Sequence, residues 1–202
     1  MNSKSVFITG TDTGVGKTLV AAILMAGMEN GYYWKPIQSG PPADTQAVRE
    51  MTGLAADRFL PETYRLSHPL SPHAAARREG IRIHLEDFQL PVQAGRLVVE
   101  GAGGIMVPIN ENQLMLDLMK QLALPVILVA RSTLGTINHT LLSLDVLNRH
   151  GLEILGVVMN GPRDPSNKSA IEYYGRTRVI LEIEPMRAIR RDALVQHFNK
   201  MD

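Results

Sequence analysis

Four segments of the chain are almost unbroken in apolar residues, and between them apolar positions recur at helical spacing. The unbroken segments are residues 5–9 (SVFIT), 96–99 (RLVV), 125–130 (PVILVA) and 155–159 (LGVVM). Residues 32–35 form a weaker fifth and residues 178–183 a sixth. A strand that is apolar at every position is covered on both faces, as in a parallel sheet held between two helix layers. Helical spacing is found over residues 18–30, 136–150 and 165–174, followed by Gly31, Gly151 and Gly175, each suited to a left-handed C-cap. The alternation predicts one doubly wound, mostly parallel α/β domain over residues 1–202, with right-handed crossovers and helices on both faces.

Residues 40–95 interrupt the rhythm with six prolines, helical spacing at 44–51 and 71–79, and no strand pattern. They read as an insertion on one edge of the sheet, not as a second domain. No internal repeat or low-complexity tract is present.

Composition narrows the function. With 45% hydrophobic but only 5% aromatic residues, the core is expected to be aliphatic. The 21 basic and 20 acidic residues leave a net charge of +1, too little field to hold nucleic acid or an anionic membrane. Having no cysteine, the chain lacks disulfides, thiolate nucleophiles and Cys-type zinc sites. His73, His84, His139 and His150 have no ligand-like spacing. The first strand begins within five residues of Met1, which leaves no room for a signal peptide, and no apolar run reaches the roughly 18 residues of a membrane span. A soluble, cytoplasmic domain is expected.

The chemistry gathers at strand ends. Residues 10–18 (GTDTGVGKT) follow the first strand and open the first helix. Glycines let backbone N–H groups turn inward as an anion nest, and the helix N-terminus adds partial positive charge. Lys17 reaches the terminal phosphates of a nucleotide, and the Thr18 hydroxyl is placed for magnesium. In the ordinary phosphate-loop motif a glycine stands four residues ahead of Gly-Lys. Thr11 holds that place here, with Gly10 one position earlier. The hydroxyls and the carboxylate of this variant loop suggest contacts beyond phosphate.

A second strand end carries Glu100, followed by the side-chain-poor run Gly101, Ala102, Gly103 and Gly104. Strand C-termini are where open α/β sheets build their sites. Glu100 there reads either as a magnesium ligand, directly or through water, or as a helix cap. Lys35, in WKPIQSG, stands at the end of the predicted second strand, as a solvated lysine or as a cation facing an anion. Asp44 opens the next helix as an N-cap or as a second metal carboxylate.

GTDTGVGKT, KPIQSG, VEGAGG, LPVILVARSTLGTINH and GVVMN, in this order and at this spacing, resemble dethiobiotin synthetase over most of residues 5–160. The resemblance implies a P-loop NTPase-type fold and a ligase of biotin biosynthesis. It would act on 7,8-diaminononanoate, CO2 and ATP with Mg2+. One amine captures CO2 as a carbamate, which attacks the γ-phosphorus to give a carbamic-phosphoric anhydride. The second amine then closes the ureido ring and releases phosphate. By the same resemblance Lys35 and Lys17 are catalytic. Gly14, Val15, Gly16, Lys17, Thr18, Leu19, Glu100, Gly101, Ala102, Gly103, Asn160 and Gly161 bind ATP, with Asn160 reading the adenine. Thr18, Asp44 and Glu100 surround the metal, while Thr13 and Ser39 touch the diamine or its carbamate. Leu134, Gly135 and Asn138 belong to the end of the site that a second subunit supplies, which implies a homodimer. The Met-rich stretch 112–122 reads as an interface or as a core face, and Met115, Leu118, Met119 and Leu122 could supply the two-fold interface. Three departures from the family stand out: Gly14 where many relatives carry Glu, a short span from Ser39 to Asp44, and LEIEP at residues 181–185 in place of a Gly-Glu-Ile-Pro type of sequence.

Two other readings share the loop. A switch ATPase of the plasmid-partition or division-placement type has a similar sheet, but carries a lysine early in the loop, near Thr11, and often ends in a membrane-binding helix. Residues 187–201, with Ile189, Leu194 and Phe198 among basic residues, read as such an anchor or as a docked surface helix. A GTP-binding protein would carry Asn-Lys-x-Asp where this chain has Met159-Asn160-Gly161-Pro162.

Overall fold

The computed structural model describes residues 5–92, 95–186 and 188–201. Its strands are β1 (Val6–Gly10), β2 (Gly31–Trp34), β3 (Ile37–Ser39), β4 (Tyr64–Leu66), β5 (Arg96–Gly104), β6 (Val126–Arg131), β7 (Ile154–Asn160) and β8 (Val179–Ile183). Six of them form one sheet in the order β2-β5-β1-β6-β7-β8, with every neighbouring pair parallel. The unbroken apolar runs have the cause expected of them. In β6, Val126, Leu128 and Ala130 point into one core and Ile127 and Val129 into the other, all fully buried. Phe7 in β1 and Leu97 and Val99 in β5 face the first core, while Ile8 and Val98 face the second.

Two helix layers cover these faces. Helices α1 (Lys17–Gly27), α2 (Asp44–Thr52) and α7 (Arg191–Phe198) supply Val20, Leu24, Val48, Leu194 and Phe198 to one side. On the other side α3 (Pro72–Glu79), α4 (Met115–Leu122), α5 (Thr136–Arg149) and α6 (Pro165–Gly175) supply Ala75, Leu118, Leu144 and Ile171. The doubly wound parallel sheet is therefore as predicted. Among the described residues no helix is long and apolar enough to cross a membrane.

Several expectations are corrected. The stretch 40–95 is not free of strands: β4 pairs in parallel with β3, which also went unpredicted, in a separate two-stranded sheet. Three residues each are too few to show a periodicity. Gly31 is the first residue of β2, and Asn30 takes the left-handed turn instead (φ 53°). Gly175 stays helical and Arg176 adopts the left-handed cap (φ 47°). Met115, Leu118, Met119 and Leu122 are buried within this chain's own core, at 1%, 0%, 1% and 4% exposure, so they cannot present a subunit interface. Arg187, the first residue of the expected last helix, lies outside the described residues. The helix itself begins at Arg191 and buries Leu194 and Phe198 beside α1, which favours the docked reading over the anchor.

At the end of α1 the chain uses glycine for close approach. A Cβ on Gly27 would stand 2.1 Å from Phe198 Cγ and 2.6 Å from its Cβ. Alanine normally improves a helix by up to about 1 kcal/mol over glycine, but overpacking costs about 1–3 kcal/mol. The near-backbone atoms of Phe198 have little room to yield, so the clash dominates. Gly27→Ala is expected to lower the urea midpoint of unfolding, and Gly27→Ala combined with Phe198→Leu to recover part of the loss. A raised midpoint in Gly27→Ala alone would show that α7 does not pack there.

Candidate active site

The site forms at the C-terminal ends of β1, β2 and β5. Between β1 and α1 the chain wraps a loop in which Gly14 (φ 72°) and Gly16 (φ 105°) are left-handed. Gly16 is glycine for a second reason: a Cβ there would lie 2.3 Å from Asn160 Nδ2. The loop is tied from outside. The Asn160 amide donates to the Val15 carbonyl at 2.9 Å, Arg131 donates to the Thr13 carbonyl at 3.0 Å, and the Thr11 N–H donates to Val129 O at 2.9 Å. Such ties fix the N–H groups that an anion would meet, at a helix start with no side-chain cap of its own. Lys17 lies along the loop, donating to Asp12 O at 3.0 Å. Burial, reinforced by the nearby Lys35 charge, lowers its pKa from 10.5 to about 8.

Beneath the loop sits a buried charge cluster. Lys35 Nζ meets Asp44 Oδ2 at 2.7 Å, Glu100 Oε1 at 3.1 Å and the Gly101 carbonyl at 2.9 Å, which accounts for all three of its donors. Lys35 and Glu100 are 3% and 1% exposed. Burial alone would depress the Lys35 pKa, but Glu100 and Asp44 outweigh it and hold the ammonium above its usual range. The solvated-lysine reading is thereby excluded. Thr18 Oγ1 lies 3.0 Å from Glu100 Oε1 and 3.2 Å from Asp44 Oδ1. Its single proton serves one of them at a time. The hydroxyl and the two carboxylates form a compact set of hard oxygens, the donor chemistry that suits a magnesium ion shared with phosphates.

Asp44 is not the N-cap of α2. Ala43 holds that position, and the Asp44 N–H donates to Gln38 Oε1 at 3.0 Å. Gln38 Nε2 also donates to Gly40 O at 2.9 Å and Pro42 O at 3.3 Å, so one side chain organises the turn between β3 and α2. With its capping task taken over by Gln38, the Asp44 carboxylate is left to face Lys35 and Thr18. Glu100 caps no helix either. Its Oε2 accepts the Tyr33 hydroxyl at 2.8 Å.

A cleft of about 740 Å³ opens over this cluster, lined by Thr13, Gly14, Gly16, Lys17, Thr18, Lys35, Ser39, Asp44, Glu100, Ala102 and Gly103, with residues 69–72 and Val107 on its far walls. Ser39 Oγ is buried without a hydrogen-bond partner, so a polar ligand atom reaching it would satisfy it. A more open depression of about 800 Å³ beside α2, lined by Arg49, Glu50, Glu62 and Arg65 among others, contains neither the loop nor Lys35 and offers no comparable chemistry.

Other predicted residues stand outside the cleft wall. Val15 is buried and Leu19 packs against the second core. Gly101 contributes its carbonyl to Lys35. Asn160 and Gly161 lie behind the loop, where the Gly161 N–H donates to Ile183 O at 2.8 Å. Leu134, Gly135 and Asn138 lie at the exposed start of α5, away from Lys35. Sequence reasoning missed Tyr33, Gln38 and Arg131. Tyr33 carried a signal: two positions before Lys35 on one strand, it must point to the same side. Gln38 and Arg131 carried none.

Comparison with known proteins bears on the same residues. A family model described as an AAA domain matches residues 4–193. The ATP-dependent dethiobiotin synthetase of Paramagnetospirillum magneticum is 53% identical over 186 residues, covering 92% of this chain and 90% of that protein. That of Nitrobacter hamburgensis is 43% identical over 198 residues, covering 97% and 93%. Among solved structures, a ParA family ATPase from Chlorobium tepidum aligns with TM-score 0.56 over 100% of this chain and 91% of that one. At 12% identity this likeness speaks to the fold alone.

Lys17 gives the site a measurable stability signature. Its folded pKa of about 8 lies below the ordinary 10.5, so the folded chain binds fewer protons than the unfolded chain between those values. Native stability therefore rises with pH across that window, and the burial cost stands in full below it. Lys17→Met removes the cost and is expected to stabilise the fold at pH 7 by on the order of 2 kcal/mol while weakening phosphate binding. The gain should fade between pH 8 and 10.5, as read by denaturant melts across pH. A variant less stable than the native protein at pH 7 would refute this account of Lys17.

Proposed function

Since the chain belongs to the dethiobiotin synthetase family, an ATP-dependent ligase family of biotin biosynthesis, we propose how its residues divide the work of closing the ureido ring on 7,8-diaminononanoate. The observation that carries the reading is the convergence of Lys17, Lys35, Thr18, Asp44, Glu100 and Ser39 on one cleft. A carbamate attacking a triphosphate brings anions together, so the barrier is lowered chiefly by cations fixed in place beforehand. Lys35 is such a cation. Two carboxylates hold it charged and in position, and a substrate anion that reaches it takes over one of its three donors. Lys17, on the opposite wall, faces the β- and γ-phosphates.

Thr18, Asp44 and Glu100 would hold Mg2+, which when bound offsets phosphate charge on the transferring group. Their three oxygens leave the remaining coordination to nucleotide and water, as is usual for magnesium. Ser39 and Thr13 orient the diamine and its carbamate. The N–H groups of Gly14, Val15, Gly16 and Leu19 receive the phosphates, Glu100 to Gly103 bound the cleft opposite them, and Asn160 with Gly161 lies toward the base. Cytoplasmic location accords with this biosynthetic role.

We further propose a homodimer. The diamine carries a carboxylate at the far end of an apolar chain. The N-terminus of α5, with Leu134, Gly135 and Asn138, does not line the Lys35 cleft of the same subunit. Leu134 is fully exposed, and Met106 and Leu142 are more than half exposed. Met106 and Leu142 border a groove beside the phosphate loop. This surface, rather than α4, is suited to receive a second copy.

A coupled assay tests the chemistry. ADP release should require the diamine and bicarbonate together, and Lys35→Ala should reduce turnover about 100-fold or more with the fold retained. Robust ADP release from ATP alone would point to a switch ATPase instead. Light scattering combined with an activity titration to low enzyme concentration tests the dimer. The expected result is a two-chain mass with specific activity that falls on dilution, whereas a fully active monomer would show each cleft to be complete in one chain.

A further inference from the structure

The two oxygens of Glu100 are held from opposite sides. Oε1 faces Thr18 (3.0 Å) and Lys35 (3.1 Å), while Oε2 accepts the Tyr33 hydroxyl at 2.8 Å. Glu100 is 1% exposed and Tyr33 0%, so no bulk water competes for either group. Tyr33 itself has little freedom. Its ring packs against Phe59 with centroids 6.1 Å apart and planes tilted by 56°, within the core that contains Ile23, Val48 and Val98. Its backbone is pinned as well. β2 pairs it with Val98 of β5, residue 59 bridges to it in parallel, and the Leu60 N–H donates to its carbonyl at 2.9 Å. Burial, and then the Glu100 charge, raise its pKa well above the ordinary value, so the hydroxyl keeps its proton.

A buried carboxylate oxygen without a donor is costly. If the Tyr33 hydroxyl were lost, Glu100 would lower that cost by turning about its terminal torsion, which is soft, to share both oxygens with the remaining donors. Oε1 would then leave its position beside Thr18. We propose that Tyr33 is a positioning residue that fixes the rotation of Glu100, and thereby sets how tightly the nucleotide site holds magnesium. The inference rests on the reading above, in which Thr18, Asp44 and Glu100 hold that ion.

Tyr33→Phe keeps the ring and removes only the donor, and Phe59→Leu loosens the packing while keeping the donor. Calorimetric titration of ADP, in EDTA and in Mg2+, separates the two effects. The native protein should bind ADP more tightly with magnesium than without. In Tyr33→Phe this gain should shrink about tenfold, the scale of losses for groups that orient metal ligands, while binding in EDTA stays native. In steady-state assays the magnesium concentration for half-maximal rate should rise with little change in kcat at saturation. Phe59→Leu should melt at lower temperature yet retain the magnesium gain. A native-sized gain in Tyr33→Phe overturns the proposal, as does an equal loss in Phe59→Leu. Absence of a magnesium gain in the native protein would overturn the metal-site reading itself, and this inference with it.

Discussion

An ammonium held between two carboxylates under a phosphate loop is the constraint to which much of this structure answers. Lys35 and Glu100 are charges that the core would not tolerate singly, because an unpaired buried charge costs several kcal/mol, and Asp44, its side chain 28% exposed, meets Lys35 from the cleft. Together they are tolerated, and only where their chain segments are: Lys35 just past the end of β2, Glu100 on its neighbour β5, and Asp44 at the start of α2. Removing Lys35 would leave two facing carboxylates uncompensated, and removing either carboxylate would cost Lys35 one of its three acceptors, so the geometry is held by electrostatics as much as by packing. The Gly101 carbonyl completes the shell of Lys35. The same cluster places a net negative pair beside Thr18, where a divalent cation carrying phosphate is most favourable.

Lys17 contrasts with this arrangement. It is buried to a similar extent, but its contact is a backbone carbonyl and its nearest strong field is the positive charge of Lys35. One lysine is stabilised as a cation by the protein and the other is destabilised, first by burial and then by the charge of Lys35. A bound polyphosphate reverses the second case, since its charge supplies what the protein withholds. At Lys17 the burial cost is left uncompensated by the protein. At Lys35 the protein supplies the compensation itself, and its cation is in place before any substrate arrives.

How much of this was legible in the sequence depended on length and on locality. Unbroken apolar runs such as 125–130 marked the buried strands because each residue there faces one of two cores. GTDTGVGKT marked the loop because its chemistry is contiguous. The two-stranded sheet of β3 and β4 was hidden, each strand being too short to show a period. Gln38 was hidden because its partners are main-chain atoms of residues 40, 42 and 44, which any residue there would present. The face of α4 was legible as apolar but not as to what covers it. Periodicity reports that a face is buried without naming its partner, and here the partner is the chain's own sheet. For Asp44, cap and metal carboxylate are both compatible with a helix start. The placement of Gln38 and of Ala43 removes the first.

The sheet itself does not distinguish a ligase from a switch. A ParA family ATPase shares this fold at 12% identity, so the fold is common ground. Much of the cleft of this chain is built on residues 33 to 44. Lys35, Ser39 and Asp44 all come from this stretch, held by the small β3–β4 sheet and by Gln38. Its far end is braced in turn, by Phe59 and Leu60 against Tyr33. The stretch 40–95, which reads in sequence as an interruption of the α/β rhythm, adds Asp44 and residues 69–72 to the cleft lining. Lys35 is tied there to Asp44 and to Glu100 of the neighbouring strand, so the segment that carries it cannot shift without breaking buried ion pairs.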